Sequence, residues 1–571
     1  MHALIDFPDP ERGRERLAFG RPAQVLVAHR LDEVRPVLEA VERQAARGRW
    51  CVGFLRYEAA PAFDAALQTH AGVDPLAWFG VHDHAIDATE AAAAETAVDW
   101  RSTWEAARFK AALARIAAAI ADGEVYQVNL TAPLQARYDG DPRALFAALQ
   151  RAQPAGWCAY IDTGREQVLS VSPELFFDRR GARLLGRPMK GTAPRGATPE
   201  DDARLAAALL ASEKERAENL MIVDLIRNDL SRVAAIGSVA VPRLFHLEPL
   251  PSVWQMTSDV VARMRDDATL ADVFAALFPC GSVTGAPKVT AMRLIRELEA
   301  RERGVYCGAV GLVRPGGDAT FNVPIRTVSL RDGVATCGIG SGITADSTPA
   351  GEWAEWRHKR AFVERAARPF ELLETMRMED GRLPARAAHL QRMAAAARHF
   401  GYAWREADAA AALDRLAADH AQGLWLARLT LDRQGRPQAT AAPLAEPAGP
   451  LRVVLAAHCI EHPSPEFLRF KTTRRESYER FAPRDPAVFD TLLWNEEGEI
   501  TEFTRGNVAL RIDGRWVTPP LRCGLLPGIG RAQCIARHEI VEEAVTRERL
   551  PQVQALAFIN SARGWLPAVL D

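Results

Sequence analysis

The chain has 571 residues, 48% of them hydrophobic and 25% charged, with a formal net charge of −2. That length exceeds one hydrophobic core and predicts about two to four domains, while the near-neutral balance gives no electrostatic case for nucleic acid or an anionic membrane as partner. The start Met1-His2-Ala3-Leu4-Ile5-Asp6 has no basic stretch before an apolar run, no segment approaches ~18 uncharged apolar residues, and the eight cysteines form no Cys-x-x-Cys pair. A signal peptide, a membrane span, a disulfide framework and a zinc site are not expected, and the expected location is cytoplasmic.

Apolar runs at Gln24–Ala28 and Trp50–Leu55 predict strands, and the polar, Ala-rich stretch Asp87–Ala97 predicts a loop. Ser102-Thr103-Trp104-Glu105 has the spacing of a capping box and predicts a helix through Phe109, Leu113, Ile116 and Ile120 to Gly123. Lys190 stands between Pro188 and Gly191, which predicts a turn presenting its ammonium. Such a lysine is a point charge for an anion or, if its pKa is depressed, a nucleophile. A second capping box, Ser212 to Glu215, predicts a helix carrying Glu218 to Leu230.

From Gly304 to Ile343 the pattern is β-like, with Val310–Val313, Phe321–Leu330 and Val334–Gly338 as predicted strands. Thr348 and Pro349 read as N-cap and first residue of a helix that places Glu352, Glu355 and Lys359 on one face. Glu215 and Glu218 repeat the three-residue spacing. Carboxylate pairs from two helices suit Mg2+, although each pair alone reads equally as a solvated, ion-paired face. Gly338-Ile339-Gly340-Ser341-Gly342 could aim N–H groups at a carboxylate, Arg326 could grip one bidentately, and Thr284 adds a hydroxyl on another turn.

The pattern changes after Lys359. A charged helix is predicted to end near Ala367-Arg368-Pro369, and a strand to begin at Phe370–Thr375. Domains 1–365 and 366–571 follow, the second with a Pro-rich linker between lobes at about 441–450. In this second part a turn over Gly524–Arg531 enters a helix and suits a phosphate. A buried acid such as Glu502 would keep a pyridinium nitrogen protonated, and Lys471 could form a Schiff base, although each residue alone also reads as structural.

Ile120–Thr131, Ser172-Pro173-Glu174-Leu175-Phe176, Lys190-Gly191-Thr192, Glu218–Leu230 and Gly281–Lys288 closely resemble the chorismate-binding enzymes, in order and over nearly all of residues 100–365. The resemblance implies a two-sheet α/β sandwich that binds chorismate and Mg2+. Lys190 is similar to the aminodeoxychorismate synthase branch, where anthranilate synthases generally have Ala. It implies that Lys190 attacks C2 of chorismate as the C4 hydroxyl leaves, and that ammonia then enters at C4 and expels the lysine. Glu174 matches the general acid, and Glu218 and Glu355 match Mg2+ ligands with Glu215 and Glu352 close by. Arg326 and Gly340 match a carboxylate clamp, with Thr284 and Lys359 beside the substrate. Gln255 departs from the histidine of many relatives and is left out of the catalytic set. No cysteine elbow with a downstream His-x-Glu is present, so ammonia is expected from a separate glutamine amidotransferase subunit or from free ammonium.

Residues 366–571 resemble the fold-type IV (class IV) pyridoxal-phosphate enzymes, which include aminotransferases and lyases. The resemblance implies a two-lobed domain, a homodimer through it, Lys471 as Schiff-base lysine and Glu502 as partner of the pyridine nitrogen. It implies Arg392 as phosphate arginine, with Ile529 and Gly530 at the phosphate turn; Gly530 stands where relatives often have Thr. The expected whole is an α/β (α+β) enzyme of two consecutive steps. Chorismate and ammonia would give 4-amino-4-deoxychorismate, which would lose pyruvate to give 4-aminobenzoate for folate synthesis. Three alternatives stay open: an anthranilate- or isochorismate-forming first half, an aminotransferase second half, and a second half that is a degenerate scaffold.

Overall fold

The computed structural model describes residues 1–571 except 10–12, 73–74, 89–95, 154–155, 196–198, 251–252, 448 and 461–465. Most of the predicted loop 87–97 therefore lies outside the described residues. The chain divides into two compact units, Met1–Pro369 and Phe370–Asp571.

The first unit is a sandwich of two ten-stranded sheets. One runs in the order Gly285–Ala286, Gln127–Arg137, Val334–Ile343, Thr327–Arg331, Gln167–Ser172, Trp157–Asp162, Ala3–Asp9, Gly13–Phe19, Ile86–Asp87. The other runs Met189–Pro194, Val253–Arg263, Arg183–Arg187, Leu175–Arg180, Ala319–Asn322, Ala309–Val313, Trp50–Leu55, Ala77–His82, Gln24–Ala28; the tenth strands, Arg101–Ser102 on Gln127–Arg137 and Ala240–Pro249 on Val253–Arg263, pair off these paths. Ile5, Phe7 and Phe19 of the first sheet pack on Val52, Phe54, Trp78 and Leu312 of the second. Helices cover the outer faces: Ala106–Ala121, Pro142–Ala152, Lys288–Leu298 and Pro349–Ala367 share a core with the first sheet, and Leu31–Ala46, Glu213–Ser231 and Leu270–Leu277 with the second. Each sheet thus buries both faces, which is why strands such as Trp50–Leu55 and Ala309–Val313 are apolar throughout and do not alternate.

The chain crosses between sheets at two adjacent places. Ser172 ends a strand of the first sheet and Leu175 begins one of the second, while Asn322 ends in the second and Thr327 begins in the first. Val323 N–H donates to Glu174 O at 3.0 Å, which ties the crossovers together. The predicted strand Phe321–Leu330 is therefore broken, with Arg326 at φ 49° in the gap.

Two further expectations are corrected, and one strand is longer than predicted. The helix predicted from Ser102 starts three residues later, at Ala106, because Ser102 is held in a short strand and its Oγ accepts from Trp104 N–H. The strand predicted over Val334–Gly338 runs on to Ile343, within the β-like stretch expected there, and pairs with Gln127–Arg137 throughout. Lys190 lies in a strand and not a turn; three steps from Met189 to Thr192 face two from Thr257 to Gln255, a bulge with Gly191 at φ 90°. The helix Glu213–Ser231 does begin at Ser212, whose Oγ accepts from Glu215 N–H.

The second unit has a lobe of three antiparallel strands, Leu372–Glu379, Leu424–Leu431 and Pro437–Pro443, packed on helices Arg386–Phe400 and Glu406–Asp419. Its last strand takes in the start of the expected linker 441–450. The other lobe is an eight-stranded sheet built from Leu451 onward.

Candidate active sites

In the first unit the Lys190 bulge is fixed from both sides. Gln255 Nε2 donates to Gly191 O at 2.9 Å and its Oε1 accepts from Thr192 Oγ1 at 3.1 Å. Asn219 Nδ2 reaches Lys190 O at 3.4 Å. The lysine Nζ makes no ion pair or hydrogen bond to any described residue. A Cβ on Gly342 would lie 3.2 Å from it and 2.6 Å from Gln127 Nε2, so these two side chains converge over the glycine strand. Gln127 is 1% exposed, and neither its Nε2 nor its Oε1 has a hydrogen-bond partner. A buried amide left so costs about 1–3 kcal/mol per unpaired group unless a ligand completes it. The sequence marks Gln127 only as a polar residue opening an apolar strand.

Glu174 is 4% exposed and its Oε1 also lacks a partner. Burial raises its pKa to about 7, against the opposing pull of Ser282, Lys190 and Lys359. Lys359 Nζ donates to Gly340 O at 2.9 Å and pairs with Glu355 at 2.7 Å, joining the Pro349–Ala367 helix to the glycine strand. Arg326 donates to Gln153 Oε1, and burial with the nearby Arg365 lowers its pKa to about 10. Thr284 is fully buried; its hydroxyl contacts Cys280 O at 3.2 Å and Gly281 O at 3.3 Å within its own turn.

Of the four glutamates predicted to hold a metal, three face one another. Glu215 is raised by burial and by Glu218 and Glu355. Burial also works against ionisation of Glu355, but Lys359, Lys190 and Lys214 hold it below the usual carboxylate range. Glu352 is apart: its two oxygens accept from Ser341 and Ser347, and Trp356 Nε1 joins Ser341 at 2.9 Å. Among the described residues no group of three or more His, Cys, Asp or Glu stands ready-formed around a metal position. Three oxygen donors whose mutual repulsion a cation would relieve nevertheless match the chemistry of Mg2+.

In the second unit a cavity of about 340 Å³ is lined by Lys471, Arg392, Glu502, Thr375, Asn507, Gly528 and Ile529 among others. Lys471 O accepts from Leu373 N–H at 3.0 Å, and its Nζ donates to Thr375 Oγ1 at 2.6 Å. Burial, then Arg392, lowers its pKa to about 8. Glu502 accepts from Tyr478 OH at 2.7 Å, Leu526 N–H at 3.1 Å and Asn507 Nδ2 at 3.2 Å, and burial raises it to about 7. Arg392 forks onto Glu374 at 2.6 and 2.8 Å and donates to Pro527 O at 2.9 Å, beside the helix Ile529–Ala536. Burial opposes the Glu374 charge, but Arg392 and His389 hold that carboxyl down at about 2. A Cβ on Gly530 would come within 2.9 Å of the Asn560 backbone, so the close approach of that turn explains the glycine. An amine of lowered pKa, a buried acid and an arginine at a helix start, around a space this size, fit pyridoxal phosphate by donor chemistry.

Comparison with known proteins agrees with this division. Residues 85–365 match the family model of the chorismate binding enzymes and residues 371–570 that of class IV amino-transferases. The chain thus resembles two families, one in each unit. Aminodeoxychorismate synthase component 1 of Klebsiella aerogenes is 44% identical over 256 residues, 45% of this chain and 57% of that protein. Anthranilate synthase component 1 of Aquifex aeolicus is 40% identical over 268 residues, 47% of this chain and 54% of that one. The crystal structure of anthranilate synthase component I from Streptococcus pneumoniae shares the fold, with TM-score 0.55 and 24% identity over 64% of this chain and 92% of that one. The chain spans between about a third and three fifths of the length of the curated relatives it matches. Among the described residues no helix is long and apolar enough to cross a membrane.

Proposed function

We propose that the chain makes 4-aminobenzoate from chorismate in two steps, one in each unit. The observation that carries the first step is Lys190: an amine without a partner among the described residues, set beside a protonatable Glu174 and an unpaired Gln127 amide. In the proposed reaction Lys190 Nζ bonds C2 of chorismate while Glu174 gives its proton to the departing C4 hydroxyl, which leaves as water. Ammonia then bonds C4, the C2–Nζ bond breaks with its electron pair going to the Lys190 amine, and the new C4 ammonium returns a proton to Glu174, which regenerates both residues. Two displacements put nitrogen on C4, whereas direct attack by ammonia would put it on C2. Arg326 and the N–H groups of the Gly340 strand would hold carboxylates of the substrate. Glu215, Glu218 and Glu355 would hold Mg2+, which would neutralise substrate carboxylate charge. Thr284 would shape its turn, and Glu352 would fix its helix to Ser341, each without touching substrate. Ammonia would come from a separate glutaminase, the reading favoured by the name component 1 among the relatives.

In the second step 4-amino-4-deoxychorismate would lose pyruvate. Pyridoxal phosphate, when bound, supplies an electron sink. Glu502 keeps the ring-nitrogen end protonated, Arg392 and the N–H groups of Ile529 and Gly530 hold the phosphate end, and Lys471 carries the C4 proton away, with Thr375 Oγ1 orienting its amine. Lys190→Ala tests the first assignment. It is expected to abolish the C4-amino product; unchanged formation of that product would overturn the role given to Lys190.

A further inference from the structure

The charge around the second cavity goes beyond what the cofactor would require. Past Lys471 and Arg392 its lining includes Arg428, Arg474, Arg475, Arg505 and Arg563, while Glu502, held by three donors, is its one acid among the described residues. Arg505 and Arg563 stand out because two separate turns bring them together. Arg505 lies between the strands Ile500–Phe503 and Asn507–Ile512, and Arg563 between Ala555–Asn560 and Gly564–Leu570. Asn560 locks the turns: its Nδ2 donates to Arg505 O at 3.2 Å, and its Oδ1 accepts from Ala562 and Arg563 N–H at 3.1 and 2.7 Å. Both guanidinium carbons lie over the ring of Phe489, at 4.8 and 5.8 Å from its centroid.

Their charge is poorly compensated. Asp490 reaches Arg505 Nε at only 3.4 Å, and it already accepts from Thr491 N–H, Thr504 N–H and Oγ1, and Arg505 N–H. Arg563 has no carboxylate within ion-pairing distance among the described residues, and its guanidinium donates to Ala445 O. Burial, then Arg505, pulls its pKa down. Arg505 also donates to Phe489 O, yet two guanidiniums held near one ring, close enough for Arg505 to act on the Arg563 charge, repel each other until an anion joins them, and a planar carboxylate suits that role.

We propose that Arg505 and Arg563 together bind a substrate carboxylate remote from the reacting amine, so that the second unit selects amines carrying two carboxylates over neutral or monocarboxylate ones. This rests on the reading of that unit as acting on 4-amino-4-deoxychorismate, whose two carboxylates it would distinguish from the single one of a branched-chain amino acid.

The test is binding, without turnover. Full-length protein loaded with pyridoxal phosphate would be titrated with benzene-1,3-dicarboxylate and with benzoate, following the cofactor's absorbance. The wild type is expected to bind the dicarboxylate at least about tenfold more tightly. Arg563→Gln should remove most of that preference, Arg563→Lys should restore part of it, and the cofactor spectrum before titration should not change. Arg505→Gln also loosens Asp490, so Arg563→Gln is the deciding variant. Equal affinity for the two acids in the wild type, or an undiminished preference in Arg563→Gln, would overturn the proposal. A preserved preference without pyruvate release would instead sink the lyase reading and leave the anion site standing.

Discussion

Glu174 and Lys471 are shifted by the same force acting on opposite charges: burial disfavours the ionised form, raising a carboxyl and lowering an amine. For Glu174 the acid form needed in the proposed first step exists below about pH 7. The kcat/KM for chorismate should therefore fall as pH rises through about 7. Glu174→Gln should slow the step by about 10²–10⁴ and flatten that limb, measured as product formation across pH. For Lys471 the neutral amine dominates only above about pH 8. The rate at which cofactor-free protein captures pyridoxal phosphate should climb up to that pH and then level, and Lys471→Ala should show no covalent capture at any pH. Both residues were legible in the sequence because each sits in a compact motif. Gln127 was not: its place in the candidate site depends on Gly342, where it converges with Lys190, and these two are separated from it by 215 and 63 positions in sequence.

The elements show where local sequence misleads. Gly338-Ile339-Gly340-Ser341-Gly342 is a kind of run that usually makes turns, yet it continues the strand predicted over Val334–Gly338. Tyr306 leaves no room for a Cβ on Gly338, nor Leu130 O for one on Gly340, and those neighbours are far away in sequence. The Ser102 capping box fails for a related reason: sheet pairing of Arg101–Ser102 with Leu134–Gln135 outcompetes the helix end. The helix Pro349–Ala367 was readable, although charged, because its cap at Thr348 and Pro349 is a local signal. Two glycines give predictions at this scale. Gly191→Ala forces a side chain to φ 90° beside Glu215 and Met256. It should cost about 1–2 kcal/mol in denaturant unfolding and slow the first step more than the second, since the bulge carrying Lys190 must shift. Gly530→Thr would install the residue common among relatives, but against the Asn560 backbone it should weaken cofactor binding by about tenfold, a loss of roughly 1–3 kcal/mol from overpacking. Titration of cofactor-free protein measures it.

At the scale of the molecule, the two units have separate cores, and the boundary at Pro369/Phe370 falls where a charged helix gives way to an apolar strand. That shift in pattern made the division visible from sequence, whereas the pairing of ten strands in each sandwich sheet rests on contacts across up to 262 positions, as between Val313 and Cys51, and was not. If each unit performs its own proposed step, inactivating one should spare the other. Lys190→Ala protein given 4-amino-4-deoxychorismate should release pyruvate at the wild-type rate. Lys471→Ala protein given chorismate and ammonium should accumulate that intermediate and release none.

The most direct test of the whole account is a product balance on the intact chain. Purified protein would be supplied with chorismate, ammonium, Mg2+ and pyridoxal phosphate, and the products separated and counted. The account predicts 4-aminobenzoate and pyruvate in equal amounts. Anthranilate as the aromatic product, or 4-amino-4-deoxychorismate accumulating without 4-aminobenzoate, would contradict it.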